Sequence, residues 1–456
     1  MKKNRVSQSP KSNFKLALLL LTAPATYTIA KPIQSSAKPN IIFILADDLG
    51  FEALGCYGAE NYKGLGAVKT PNLDYLAAKG MKFTNCFATP VSSPARAEFL
   101  TGKYNFRIGF PDIAGRSGSV ESLDTKAHPT IAQYLKQVGY TTAVCGKWHI
   151  GPPEKGILIP TLPETTFNHP RVCGFERQSI FGGGHLEDYG EPKPELYTPA
   201  IIQKWAINFL KEPARKQDPF FLYYASPIPH VPLMPTPLNP EGDSKVMSNF
   251  PFLIEYLDGQ VGEILRTLKE QGLEENTIIF FSGDNGTATT VTTQMNDGKE
   301  IKGGKATMDD TGSKVPLIAF CPGKIPENTS CSDLVDFSDL LPTLLQLAGT
   351  TVPKGIDGVS FSEKLCGRTG TARAWVHTHF DGQYFVRNRD FKLRENKMLY
   401  SMEKAPHSEL LIMPKNDTAA SKAARKQLQS AIDELYNGYV PPVRTGEKRN
   451  KMKEIK

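Results

Sequence analysis

The sequence predicts an α/β fold, with a large mixed, mainly parallel sheet sandwiched by helices and a smaller C-terminal α+β domain. Three observations predict it. Residues 41–46, 277–281 and 315–321 are short, continuous apolar runs, the pattern of strands buried on both faces. Helical patterns alternate with strand runs along most of the chain, which implies strands covered by helices. From Trp375 the pattern changes to a hairpin over 385–395, turning at Asn388-Arg389-Asp390, and then one helix over 419–436.

In chain order, residues 1–30 read as a secretory signal. Lys2, Lys3, Arg5, Lys11 and Lys15 form a basic start, 16–21 an apolar core, and Thr28-Ile29-Ala30 a small-residue cleavage site. That apolar run is well short of the roughly 20 residues a membrane span needs, so export to the periplasm or medium is expected and no stable span. Helices are expected over 72–78, 130–137 and 251–271, and further strands over 141–145 and 220–225. In the 251–271 helix Ile254, Leu257, Val261, Ile264, Leu265 and Leu268 share one face. The expected division is a signal at 1–30, a large α/β domain at 31–370, a small α+β domain at 371–440 and a solvated basic tail at 441–456.

The formal net charge is +7, but residues 1–30 carry five Lys/Arg and no acid, and 441–456 carry six basic and two acidic residues. The remainder is therefore about −2, so the basic balance belongs to the two ends and not to a nucleic-acid-binding face. The seven cysteines leave at least one unpaired. Cys321 and Cys331, flanking a Pro- and Gly-containing loop, are the pair expected to bridge, and no cysteine spacing fits a zinc site.

The organising stretch is 89–104, TPVSSPARAEFLTGKY. Ser92 is followed by Pro94 and Arg96, and proline favours the first helical position, so Ser92 is expected just before a helix N-terminus. A hydroxyl there, with helix N–H groups and an Arg beside it, suits attack on an anionic ester. Read alone, the pentapeptide fits a Ser-capped surface helix equally well.

Asp47-Asp48 follow the first strand, and Asp284-Asn285-Gly286 follow the strand TIIFFSG. Each pair alone fits a cap or an Asx-turn. Together, at adjoining strand ends, three carboxylates and an amide form an all-oxygen site suited to a hard cation such as calcium. Gly146-Lys147-Trp148-His149 follows the strand TTAVC, and in an extended end Lys147 and His149 face the same side. His230 lies in the Pro-flanked segment SPIPHVP, which is stiff.

Ser92-Ser93-Pro94-Ala95-Arg96 with Leu100-Thr101-Gly102 resembles the signature of the type I sulfatases of the alkaline-phosphatase superfamily, in their Ser form. GKWH and the order of strands and motifs from about Lys38 to Asp357 strengthen the resemblance, which weakens beyond Trp375. It implies an alkaline-phosphatase-like fold and a sulfuric ester hydrolase, with Ser92 oxidised to formylglycine by a maturase. It also implies a calcium ion bound by Asp47, Asp48, Asp284, Asn285 and residue 92. Arg96, Lys147, His149, His230 and Lys305 then complete the catalytic set, with Lys147, His230 and Lys305 on the sulfate and His149 as base. Two departures stand out: Ala306 where Gly is common, and Lys314 where Arg is usual. Lys302, close to Lys305, competes with it for the sulfate-binding role. His185, Asp188 and Tyr189 read as a polar loop. The substrate implied is a sulfated carbohydrate. The rival readings are a phosphoryl or phosphonate ester hydrolase of the same superfamily, and a non-catalytic sulfated-glycan-binding protein with Ser92 unmodified.

Overall fold

The computed structural model describes residue 1 and residues 38–116, 118–151, 168–181, 193, 195–244 and 246–439. The expected signal, the polar loop holding His185, Asp188 and Tyr189, and the basic tail lie outside the described residues. The elements begin with β1 (Asn40–Ala46), β2 (Ala59–Tyr62), β3 (Gly66–Ala67), α1 (Pro71–Ala78), β4 (Met81–Phe87), α2 (Ser92–Thr101) and α3 (Ile131–Gln137). Next come β5 (Thr141–Lys147), α4 (Asn168–Val172), β6 (Arg177–Phe181), α5 (Thr198–Lys211), β7 (Phe220–Ala225), α6 (Phe250–Gln271) and β8 (Thr277–Gly283). They continue through β9 (Thr292–Met295), β10 (Glu300–Lys302), α7 (Asp310–Ser313), β11 (Lys314–Phe320), β12 (Thr329–Asp336), α8 (Leu340–Leu347) and α9 (Ser362–Leu365). The last are β13 (Val376–Phe380), β14 (Gln383–Arg387), β15 (Phe391–Arg394), β16 (Leu399–Ser401), β17 (Leu410–Ile412) and α10 (Ala419–Leu435).

The main sheet has the order β12-β4-β11-β8-β1-β7-β5-β6. Its pairs are parallel except those of β11, which runs antiparallel to both β8 and β4. This is the mixed, mainly parallel sheet that the apolar runs predict. Alternate residues of β1 enter different cores: Ile41, Phe43 and Leu45 pack in one layer, Ile42 and Ile44 in the other, all fully buried. The apolar face expected on the 251–271 helix fills the second layer.

The reversal of β11 matters for function. Ligand sites in such sheets form at the carboxyl ends of parallel strands. Because β11 is antiparallel, its N-terminal end lies there as well, and the segment that precedes it, with Lys305, arrives at the same edge.

The C-terminal strands form an antiparallel sheet, β13-β14-β15-β16-β17, with the expected hairpin in register at Phe385 and Arg394. Helix α10 starts at Thr418 with a capping box to Ser421 and packs Leu428 and Ile432 against Val386 and Leu393. Asp310, ahead of β11, pairs with Arg387 and with Lys392 at 2.9 Å, which ties this sheet to the site end of the large one. A four-stranded sheet, β10-β9-β2-β3, completes the fold.

Two expectations are corrected here. Helix α2 begins at Ser92 with Val91 as its cap, so Pro94 is the third helical residue and not the first. The first few N–H groups of a helix lack intrahelical partners, so proline is tolerated there. The bridge between Cys321 and Cys331 does not form, and all seven cysteines are free. Strand β4 runs between β11 and β12, so the two cysteines flank an intervening strand. Two strand spacings come to about 10 Å, beyond the reach of a disulfide.

Candidate active site

The site is built where β1, β8, β5 and β7 end and α2 begins. Past β1 the chain turns sharply through Asp48, whose φ is 64°. The Asp48 N–H donates to Asp284 Oδ1 at 3.0 Å, and Asn285 Nδ2 donates to Asp48 Oδ1 at 2.8 Å. Adjacent parallel strands thus lock their two acidic ends together, and Asp47, Asp48, Asp284 and Asn285 are all fully buried.

Helix α2 points its N-terminus into this cluster. The Ser92 hydroxyl lies 2.9 Å from Asp47 Oδ1 and 3.1 Å from Asn285 Oδ1. One turn on, Arg96 donates to Asp284 Oδ2 at 2.6 Å and to Asp47 Oδ1 at 3.4 Å. Its other terminal nitrogen donates to the Lys147 carbonyl at 3.2 Å and the Tyr223 hydroxyl at 3.1 Å. Both ends of the guanidinium are therefore fixed, in a geometry lysine cannot reproduce.

Two lysines and an imidazole also face the carboxylates. Lys147 Nζ donates to Asp47 Oδ2 at 2.5 Å, and Lys305 Nζ to Asp48 Oδ2 at 2.6 Å. His230 Nε2 stands 3.8 Å from Asp48 Oδ2. Lys302 is exposed on β10, so of the two competing lysines the geometry brings Lys305 to the cluster. His149 reaches it differently from the extended strand end expected. It takes the left-handed conformation, φ 58°, and its Nδ1 is buried without a partner.

The electrostatics follow from this packing. Burial alone would raise the Asp47 carboxyl, but Lys147, His230 and Arg96 hold it well below the usual range. Burial, then repulsion from Asp47, pushes Asp284 up to about 7 despite Arg96. Burial pulls the His230 imidazole down to about 4 against Asp48, and burial with Lys147 and Arg96 pulls His149 well below its ordinary value. Burial lowers Lys147; at Lys305 burial also pulls down, but Asp48, Asp47 and Asp284 together outweigh it and raise the ammonium.

Sequence reading missed Tyr223 and Glu52. Tyr223 lies inside a strand apolar throughout, where nothing marks its hydroxyl as bound to Arg96. Glu52 is fully buried four residues beyond Asp48, and a single acid between Phe51 and Ala53 carries no local sign of which way it turns. Ala306, the departure from Gly, has φ 62°, a conformation that glycine takes without strain.

The sulfatase family profile matches residues 39–350, and the profile of the N-sulphoglucosamine sulphohydrolase C-terminal region matches 304–428. Arylsulfatase A of Homo sapiens is 32% identical over 387 residues, covering 76% of this chain and 71% of that protein. N-acetylgalactosamine-6-O-sulfatase of Bacteroides thetaiotaomicron is 29% identical over 431 residues, covering 75% and 79%. In fold, the chain is similar to the crystal structure of Ps i-CgsB in complex with k-i-k-neocarrahexaose, with TM-score 0.72, 24% identity and coverage of 91% and 96%.

Proposed function

This chain belongs to the sulfatase family and is a sulfuric ester hydrolase, and from that premise we propose that it is exported and cleaves sulfate from sulfated carbohydrate, using a formylglycine made from Ser92 and a calcium ion. The observation that carries the reading is the setting of Ser92, whose hydroxyl contacts Asp47 and Asn285 at the start of α2 with Arg96 one turn behind. The carbohydrate substrate is supported by the N-acetylgalactosamine-6-O-sulfatase of Bacteroides thetaiotaomicron, named for a sulfated sugar.

The donor set fits calcium. Asp47, Asp48, Asp284 and Asn285 offer only oxygen ligands, from two adjoining strand ends, and a hard cation prefers such ligands. With residue 92 they would hold the ion, which would polarise the oxygen at that residue. Formylglycine at residue 92 would supply, as its hydrate, one hydroxyl to attack sulfur and a second whose loss of a proton would let sulfate leave. The remaining work falls to side chains. Arg96 and the N-terminus of α2 stabilise negative charge at residue 92. Lys147, His230 and Lys305 stabilise the sulfate oxygens, and His230 or Lys305 gives the departing alcohol its proton. His149 takes a proton from the second hydroxyl.

Mass spectrometry of the peptide spanning Thr89 to Arg96 tests the central claim. Protein from the native host is expected to be lighter there by two hydrogens, whereas a host lacking the maturase yields intact, inactive Ser92. Ser92→Ala should fold and lose essentially all turnover. Sulfatase activity from protein with unmodified Ser92, or a preference for aryl phosphate over matched aryl sulfate, would overturn the reading. A panel of defined sulfated sugars tests the substrate, and turnover of simple aryl sulfates with none of the sugars would remove the carbohydrate assignment.

A further inference from the structure

His149 holds left-handed backbone, φ 58°, which a non-glycine residue keeps only when its surroundings impose it. A ring of contacts closed by His169 surrounds it. Trp148 donates its indole N–H to His169 Nδ1 at 2.8 Å. On its other side, His169 Nε2 lies 3.3 Å from the Leu123 carbonyl. Leu123 in turn donates its N–H to the Ile150 carbonyl at 3.1 Å. Gly151 packs so close that a Cβ there would lie 2.4 Å from His169 Nδ1. Residues 148, 150 and 151 are all referred to one imidazole, and His149 sits among them.

The chemistry fixes the state of that imidazole. An indole nitrogen can only donate, so Nδ1 of His169 is the acceptor and the proton is on Nε2, which donates to Leu123. This one neutral tautomer satisfies both contacts. Trp148 is itself buried, edge-on to both His169 and Phe175, so its indole has a single packed orientation.

We propose that His169 is a positioning residue for His149, clamping Trp148 and Gly151 on either side so that the His149 imidazole stays among Lys147, Arg96 and Asp47. The proposal rests on the reading above, in which His149 is the base.

The test uses the full chain with formylglycine in place. His169→Phe keeps an aromatic ring and removes the acceptor, His169→Asn keeps a polar acceptor near Nδ1, and Trp148→Phe removes the donor. In 15N-edited NMR the indole resonance of Trp148, identified by its loss in Trp148→Phe, should shift and exchange faster with solvent in His169→Phe. Turnover of an aryl sulfate should fall about 10- to 100-fold in kcat with little change in KM, as expected for a misplaced catalytic group. His169→Asn should recover much of that loss, and the double variant should be no worse than the poorer single one. An unmoved indole resonance, an unchanged kcat in His169→Phe, or no rescue by Asn would overturn the proposal. Should wild-type protein carrying formylglycine hydrolyse no sulfate ester, the functional reading fails instead. The indole resonance would then still decide whether His169 holds Trp148.

Discussion

Arg96 and Asp284 meet at 2.6 Å with both side chains fully buried, each the other's nearest counter-charge. Asp47 and Asp48 crowd the same carboxylate, so the guanidinium, together with Lys147 on Asp47 and Lys305 on Asp48, lets three acids lie buried side by side. Removing one partner of a buried pair leaves a charge without solvent or counter-ion. Arg96→Ala is therefore expected to destabilise the fold by about 3–5 kcal/mol. Arg96→Lys retains the charge but not the contacts to Lys147 and Tyr223, so it should fold while losing most turnover. Urea unfolding of both variants, alongside kcat, checks this. Equal stability of wild type and Arg96→Ala would show the pair to be dispensable.

Metal removal is the second prediction. An ion bound only by the native state adds stability by mass action, about 2.7 kcal/mol at 100 times its Kd. Exhaustive chelation should lower the melting temperature and abolish turnover, and calcium should restore both. Asp284→Ala should lose activity and show no calcium-dependent shift in melting. Unchanged melting and activity after chelation would rule out the donor set.

How much of this could be read from the sequence depended on whether the signal was local. β1 and β8 are continuous apolar runs, and the acidic pairs directly after them stood out on that account. β12 was missed because TSCSDLVD is an edge strand with its first half open to solvent, and so lacks an apolar run. The direction of β11 could not be read either, since it is set by neighbours distant in sequence. The absent bridge from Cys321 to Cys331 has the same origin, because β4, which separates them, was itself unmarked. The start of α2 was displaced because a proline signals the first turn without fixing the position within it.

Ala306 gives the third prediction. Its φ of 62° forces a Cβ into the left-handed region beside Lys305, at a cost of about 1 kcal/mol. Glycine removes that strain, though it also adds freedom to the unfolded chain. Ala306→Gly is expected to raise stability by less than about 1 kcal/mol and to leave turnover intact. A fall in thermal midpoint would show that the methyl group makes contacts that outweigh the strain.

The last prediction concerns Glu52. Its carboxyl is 1% exposed, and neither oxygen has a well-formed hydrogen bond. Burial pushes it up to about 7, with weaker opposing pulls from the Thr287 hydroxyl and from Lys314. The usual carboxyl value is 4.5, so the native state holds this proton more tightly than the unfolded chain does. The stability the proton contributes is fully present below about pH 4.5 and is lost as pH rises through about 7. Glu52→Gln mimics the protonated acid at every pH. Relative to wild type, the variant should therefore gain stability between pH 5 and pH 8, by up to about 3 kcal/mol. Denaturant unfolding of both proteins at the two pH values reads the difference, and titrations elsewhere in the chain cancel in the comparison. A gap between variant and wild type that stays constant with pH would mean that Glu52 is ionised in the native protein and is compensated by Lys314.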